Sequence, residues 1–191
     1  MKRNVKKFLY GFITGVLLLC CAAGGIWLYI ERPGFLGGNN YTAEINAAAA
    51  RYGLPPALVW ALIKKESHFN PSTIGKAGEI GLMQVLPRGA AAEWARVNKK
   101  PAPSDKELMR VKTNLDIGCW YLARAVNKWS AYRCKFELAL AEYNAGAKNA
   151  DRWKPGYPEG EILHKIDFPS TRQYVIDIMH DYRERLIQSK Q

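Results

Sequence analysis

The longest apolar stretch in the chain runs from Phe8 to Ile30, 23 residues without a charged side chain. At a helical rise of ~1.5 Å per residue it is long enough to cross a bilayer with some tilt. Lys2, Arg3, Lys6 and Lys7 precede it, and Glu31-Arg32-Pro33-Gly34 ends it. The positive-inside rule then puts the N-terminus in the cytoplasm and everything after the stretch outside. Tyr10, Trp27 and Tyr29 suit the two interfaces. The expected organisation is a basic tail at 1–7, a single-pass transmembrane anchor at 8–30, a linker at 31–41 and one folded domain at 42–191. A cleaved signal peptide is the alternative, since Cys21-Ala22-Ala23-Gly24-Gly25 offers small residues to a peptidase. A lipoprotein signal fits less well, because Leu19 and Cys20 stand where small residues are expected before the cysteine. Ile26-Trp27-Leu28-Tyr29-Ile30 extends the apolar run and favours the anchor. All three readings export the domain.

Beyond the linker the polar and apolar positions repeat with a helical period, and no run alternates with a strand's period of two. Thr42 to Tyr52 is Ala-rich and stops before Gly53. Pro55-Pro56 opens a helix to about Ser67. Residues 80–86 and 87–97 read as short helices broken at Pro87, and Ser104-x-x-Glu107 is a capping box for another. Longer helices are expected over 114–129 and 135–145, the second stopped by Gly146. Pro169 starts the last one, with Val175, Ile178, Met179, Tyr182 and Leu186 at helical spacing. The expected fold class is all-α.

Composition adds little to this, with 48% hydrophobic and 24% charged residues, ordinary for one domain with one core. Charge adds more. The chain carries +11, and from residue 32 onward there are still 24 basic against 16 acidic residues. Such a surface suits an anionic partner: nucleic acid, anionic lipid or an anionic wall polymer. Four cysteines are too few for a disulfide scaffold. Cys119 near the start of the 114–129 helix and Cys134 just past its end would lie ~15 Å or more apart. A disulfide needs a Cα separation under ~7 Å, so unpaired thiols are expected.

One residue breaks the pattern. Val59, Leu62 and Ile63 form an apolar stripe on the helix from Pro56, and the next position on it is Glu66. A carboxyl turned inward near the negative end of a helix dipole has its pKa raised by both effects. Held neutral near pH 7, it can donate a proton to a leaving oxygen. A helix-end glutamate paired with a basic neighbour would look the same in sequence.

Four ordered segments settle which reading to pursue: Glu66-Ser67-His68-Phe69-Asn70-Pro71, then Gly81-Leu82-Met83-Gln84, then Ala139-Leu140-Ala141-Glu142-Tyr143-Asn144-Ala145-Gly146, then Pro169-Ser170-Thr171-Arg172-Gln173-Tyr174-Val175. In this order and spacing, over roughly residues 43–186, they resemble the lytic transglycosylase domain of the soluble-lytic-transglycosylase (SLT) type, related in fold to goose-type lysozyme. The resemblance implies a lysozyme-like helical domain acting on peptidoglycan glycan strands. It implies a place on the outer side of a bacterial inner membrane, in the periplasm, with cell-wall or secretion machinery as possible company. Glu66 matches the catalytic glutamate. Ser67 matches a serine that orients the substrate's N-acetyl group or the acid. Met83 and Gln84 match residues lining the glycan cleft, and Glu142, Tyr143 and Asn144 fall on its opposite wall. Tyr174 matches a tyrosine whose hydroxyl bonds the catalytic glutamate.

A hydrolytic glycosidase normally uses two carboxylates, whereas the family resembled uses one. The resemblance implies that Glu66 protonates the oxygen between N-acetylmuramic acid and N-acetylglucosamine, then deprotonates the C6 hydroxyl that attacks C1. The product would end in 1,6-anhydromuramic acid, with no metal or cofactor. Two departures bear on this. The family pattern Ser-x-x-Gly-Ala-x-Gly has Gly75 at its serine and Glu79 at its alanine here, and Glu142 likewise replaces an alanine. Glu79 and Glu142 are expected on the solvent side of their elements; facing Glu66, either would permit hydrolysis. His68, His164 and His180 lack ligand spacing. Trp94, Trp120, Trp129 and Trp153 read as core rather than sugar platforms, and Arg183, Arg185 and Lys190 as a solvated helix end. An inactive wall-binding scaffold and a DNA-binding domain are the readings from other classes. Glu66, Gln84, Tyr143 and Tyr174 oppose the first, and no nucleic-acid motif supports the second.

Overall fold

The computed structural model describes residues 41–189. The basic tail, the apolar run 8–30, nearly all of the linker and Lys190 lie outside the described residues. Among those described there are eight α-helices: α1 (Thr42–Arg51), α2 (Pro56–Ser67), α3 (Ala92–Val97), α4 (Asp105–Leu108), α5 (Val111–Lys128), α6 (Lys135–Ala145), α7 (Ala147–Trp153) and α8 (Pro169–Gln188). A π-helical turn, Pro87–Ala91, leads directly into α3. The only extended pairing among these residues is two isolated bridges, Ile74 with Ile80 and Ile80 with Val85. The all-α expectation therefore holds.

Local chemistry sets most of the ends. Gly53 takes a φ of +66° after α1, and Gly146 a φ of +84° after α6, conformations that a Cβ penalises. Pro56 and Pro169 occupy first-turn positions, where the missing N–H costs nothing. The capping box forms as read: Ser104 Oγ accepts the Glu107 N–H, and Glu107 Oε2 accepts the Ser104 N–H at 2.9 Å.

Helix α6 is the centre of the domain. Leu138, Ala139, Leu140, Ala141 and Glu142 are buried in succession, so no face of that stretch meets water. It packs against α5, α7 and α8, while α2 packs along α8 and α1 lies across α2 and α5. Leu58, Leu62, Ile63, Leu115, Leu122, Val175 and Ile178 close the core between them.

Three expectations are corrected. Residues 80–86 are not a helix. Gly81 at a φ of +83° and Gln84 at +46° turn the chain back, and Ile80 pairs through its backbone with Val85. Residues 73–85 therefore form a lip over the end of α2 rather than a helix. Helix α7 (Ala147–Trp153), which begins directly after Gly146, has no counterpart in the sequence reading. At the end of α8, Arg183 is exposed as expected, but Arg185 is not simply solvated: it is half-buried, with its guanidinium 4.2 Å from the Trp60 ring centroid. Of the tryptophans, Trp129 and Trp153 are core, while Trp94 and Trp120 are half-buried. Cys119 and Cys134 are both free and buried.

Candidate active site

Glu66 sits in the last turn of α2, one residue before Ser67 closes the helix. The chain then leaves through two consecutive left-handed residues, His68 at a φ of 50° and Phe69 at 64°. That costs on the order of 1–3 kcal/mol per residue, and the Phe69 ring is held against Trp60 with centroids 5.1 Å apart. The sharp exit carries the chain into the lip, which folds back over Glu66.

The carboxyl is half-buried and its pKa rises to about 7. Desolvation is the main cause, and the charge of Glu79 adds to it. Tyr174 opposes the rise: its hydroxyl donates to Glu66 Oε1 at 2.5 Å and favours the ionised form. Burial holds the phenols of Tyr174 and Tyr143 well above their ordinary range, so both remain hydrogen-bond donors. A carboxyl that changes charge near neutrality, gripped by a permanent donor, can give up a proton and take one back.

Glu66 opens into a cavity of about 200 Å³ lined also by Gly75, Lys76, Glu79, Gln84, Tyr143 and Asn144. A second depression of about 260 Å³ adjoins it, sharing Glu79, Gln84, Tyr143 and Asn144 and continuing past Tyr121 to Gly146. Together they form a groove between the lip and the C-terminal end of α6.

The lip is fixed by side chains from several helices. From α2, Ser67 is buried and donates its Oγ to the Leu82 carbonyl at 2.8 Å. From α6, Tyr143 donates its hydroxyl to the Met83 carbonyl at 2.7 Å. From α5, Asn114 accepts the Met83 N–H at 2.8 Å and donates to the carbonyls of Ile80 and Leu108 at 2.7 and 2.8 Å. Gln84 spends its amide N–H groups on Thr73 and Gly81.

The sequence candidates divide accordingly. Glu66, Gln84, Tyr143 and Asn144 line the groove, and Tyr174 grips Glu66. Ser67 is committed to the lip backbone. The Met83 side chain is fully buried, with its sulfur 3.8 Å from Cys119 Sγ; only its carbonyl and N–H serve the site. Gly118 makes room for it, since a Cβ there would lie 2.5 Å from that sulfur. Glu142 is not on the solvent side of α6. It is buried, and its Oε2 accepts from Trp129 Nε1 at 2.9 Å and Lys128 Nζ at 3.1 Å, yet it still lines the second depression. Trp129 closes that contact because α5 ends beside α6. Glu79 is also not solvated: it is half-buried and faces the groove. Two residues were missed. Asn114 is the first, and its signal was a polar residue on the apolar face of α5, the same signal that marked Glu66. Thr171, whose hydroxyl donates to Asn144 Oδ1 at 2.8 Å, is the second; it lies inside the fourth segment, where only Tyr174 was given a role. Among the described residues no group of histidines, cysteines and carboxylates is arranged to hold a metal.

The family model described as the transglycosylase SLT domain matches residues 43–165. The membrane-bound lytic murein transglycosylase C of Histophilus somni (strain 2336) is 35% identical over 113 residues, covering 56% of this chain and 31% of that protein. Among solved structures, an inactive mutant of the lytic transglycosylase Slt of Pseudomonas aeruginosa is 27% identical with a TM-score of 0.66, over 77% of this chain and 24% of that one. The 70 kDa soluble lytic transglycosylase of Escherichia coli is 26% identical with a TM-score of 0.65, over 88% of this chain and 27% of that one. The chain thus spans about a quarter to a third of the length of the relatives it matches.

Proposed function

Since the chain belongs to the transglycosylase SLT domain family, we propose that it is a membrane-anchored peptidoglycan lytic transglycosylase with Glu66 as its acid and base. The substrate would be the β-1,4 bond between N-acetylmuramic acid and N-acetylglucosamine, and the product a 1,6-anhydromuramic acid end. One observation carries this reading: a half-buried carboxyl with a pKa near 7, hydrogen-bonded by Tyr174, opening into a groove. Neutral Glu66 protonates the glycosidic oxygen as the C1–O bond breaks. The resulting carboxylate, stabilised by the Tyr174 hydroxyl, takes the proton of the C6 hydroxyl as that oxygen closes on C1. No water is consumed, and Glu66 ends protonated for the next turnover. Gln84, Tyr143 and Asn144 are the glycan contacts on the two walls, Glu142 lines the second depression beside them, and Ser67 and Met83 support those walls from behind. The reaction needs no metal or cofactor.

The anchor is argued from the 23 apolar residues of Phe8–Ile30 and the four basic residues before them. Among the described residues no helix is long and apolar enough to cross a membrane. An anchored domain facing the periplasm would meet the wall within the reach of a short linker, a few nanometres. Cell-wall or secretion machinery is the company such a position suits. Alkaline extraction of membranes checks the anchor: the chain stays with the bilayer, and its release by alkali would count against a span.

Mass spectrometry of digested sacculi tests the activity, with anhydro ends expected in wild type and absent in Glu66→Gln. Tyr174→Phe has a distinct signature. Removing the donor takes away the interaction that lowers the Glu66 pKa, so the neutral acid survives to higher pH. The alkaline limb of the rate profile, near pH 7 in wild type, therefore moves upward. The maximal rate falls roughly tenfold or more as the carboxylate loses a charge-assisted bond. Digestion rates between about pH 5 and 9 read both effects; an alkaline limb that stays in place would separate Tyr174 from Glu66.

A further inference from the structure

Glu79 is the groove side chain to which single-carboxylate chemistry assigns no task. Its Oε2 accepts the Ala77 N–H at 3.0 Å, which folds the carboxylate back over Gly75. A Cβ on residue 75 would lie 2.2 Å from that oxygen and 2.8 Å from Gln84 Oε1. The carboxylate therefore fills the space in which the SLT pattern places a serine side chain, so the two departures from the pattern meet at one place in the groove. Glu79 lines both depressions and so stands where they meet, with Glu66 lining the first. Its charge acts on Glu66. No ion pair among the described residues includes it, whereas Glu142 is consumed by Lys128 and Trp129. The cavity between Glu79 and Glu66 is polar and has room for several water molecules.

We propose that Glu79 is a second catalytic carboxylate that activates water against the cleaved sugar, so that the enzyme releases reducing ends alongside anhydro ends. The proposal rests on the assignment of Glu66 as the acid. In the step, Glu66 gives its proton to the glycosidic oxygen and the C1–O bond breaks. A water oxygen bonds to C1 while its proton passes to the Glu79 carboxylate. N-acetylglucosamine leaves with a free 4-hydroxyl, and the muramic acid is left as a reducing sugar. Glu79 then loses its proton to solvent and Glu66 regains one, so each turnover consumes one water. Two carboxylates sharing one glycan site is the arrangement that hydrolysis requires. The anhydro route competes whenever the C6 hydroxyl reaches C1 first.

The test is digestion of sacculi by the full-length protein in heavy-oxygen water, with muropeptides separated by mass spectrometry. Wild type is expected to give labelled reducing ends together with unlabelled anhydro ends. Glu79→Gln lowers the ratio of labelled reducing to anhydro ends by about tenfold or more, the range of a lost general base. Gly75→Ser combined with Glu79→Ala refills the same space without the carboxylate and lowers the ratio equally, which separates loss of the base from a collapsed lip. Anhydro ends alone from wild type, or an unchanged ratio in both variants, overturns the role of Glu79 and leaves Glu66 as a lone acid and base. Absence of all cleavage by wild type overturns the enzymatic reading and this proposal with it.

Discussion

Glu66→Gln is expected to lose glycan cleavage by at least ~10³-fold and to melt several degrees higher than wild type above neutral pH. The first effect follows from removing the group placed to protonate the leaving oxygen. The second follows from the same burial that makes Glu66 useful. Its pKa rises from 4.5 to about 7 on folding, so the folded state holds the proton more tightly than the unfolded chain. That contribution to stability is fully present below about pH 4.5 and is lost as pH rises through about 7. By about pH 8 wild type has forfeited about 3 kcal/mol. The glutamine of the variant is neutral throughout and forfeits nothing, while its amide oxygen can still accept the Tyr174 hydroxyl. Calorimetric melts of both proteins across pH check this. Parallel curves would mean that Glu66 is already solvated and ionised in the folded state.

Asn114→Ala should cost roughly 3 kcal/mol or more, the largest loss expected from any single polar substitution in the domain. The side chain is almost fully buried and serves three backbone groups at once: the Met83 N–H and the carbonyls of Ile80 and Leu108. Truncation leaves the Met83 N–H and the Leu108 carbonyl without partners away from water, at ~1–3 kcal/mol each before relaxation, while the Ile80 carbonyl keeps only the Val85 N–H at 2.9 Å. Asn98 is the control. Its amide also bonds a backbone carbonyl, that of Trp94, but at the surface, and Asn98→Ala should stay within ~0.5 kcal/mol. Urea unfolding of the two variants measures the difference. Glycan cleavage should fall in Asn114→Ala even where the protein is folded, because the lip carries Gln84 and Glu79. Equal unfolding midpoints would show that the lip is held by other contacts.

Much of this was legible beforehand, and the failures have physical reasons. Helix ends marked by Pro or by Gly at a positive φ, as at Pro56, Gly53 and Gly146, were readable because the determinant is local. Glu66 was readable as a carboxylate on an apolar stripe. The lip was misread as a helix because Leu82, Met83 and Val85 are apolar enough to suit one, while the forces bending it are tertiary: Asn114, Ser67 and Tyr143 arrive from distant sequence. Met83 was expected in the cleft because it matches a cleft residue of the family resembled, yet its side chain is fully buried, since side chains that follow one another in a turn face different ways. Glu142 was misplaced for a similar reason. Its stretch of helix, residues 138–142, is buried on every side, so periodicity offers no outward face there, and its partners Lys128 and Trp129 lie outside that helix. Asn114 shows that the signal used for Glu66 was underused. A polar residue on an apolar stripe marks either chemistry or a backbone clamp, and this domain contains one of each.

The crowding at Gly75 also ties two positions together. A Cβ at position 75 would lie 2.2 Å from the Glu79 oxygen and 2.8 Å from Gln84 Oε1. Both atoms are the far ends of flexible side chains, so a side chain there is not shut out but displaces the Glu79 carboxylate from its seat. The bare glycine therefore decides where that charge rests in the groove, and Gly75→Ser re-aims it without touching position 79.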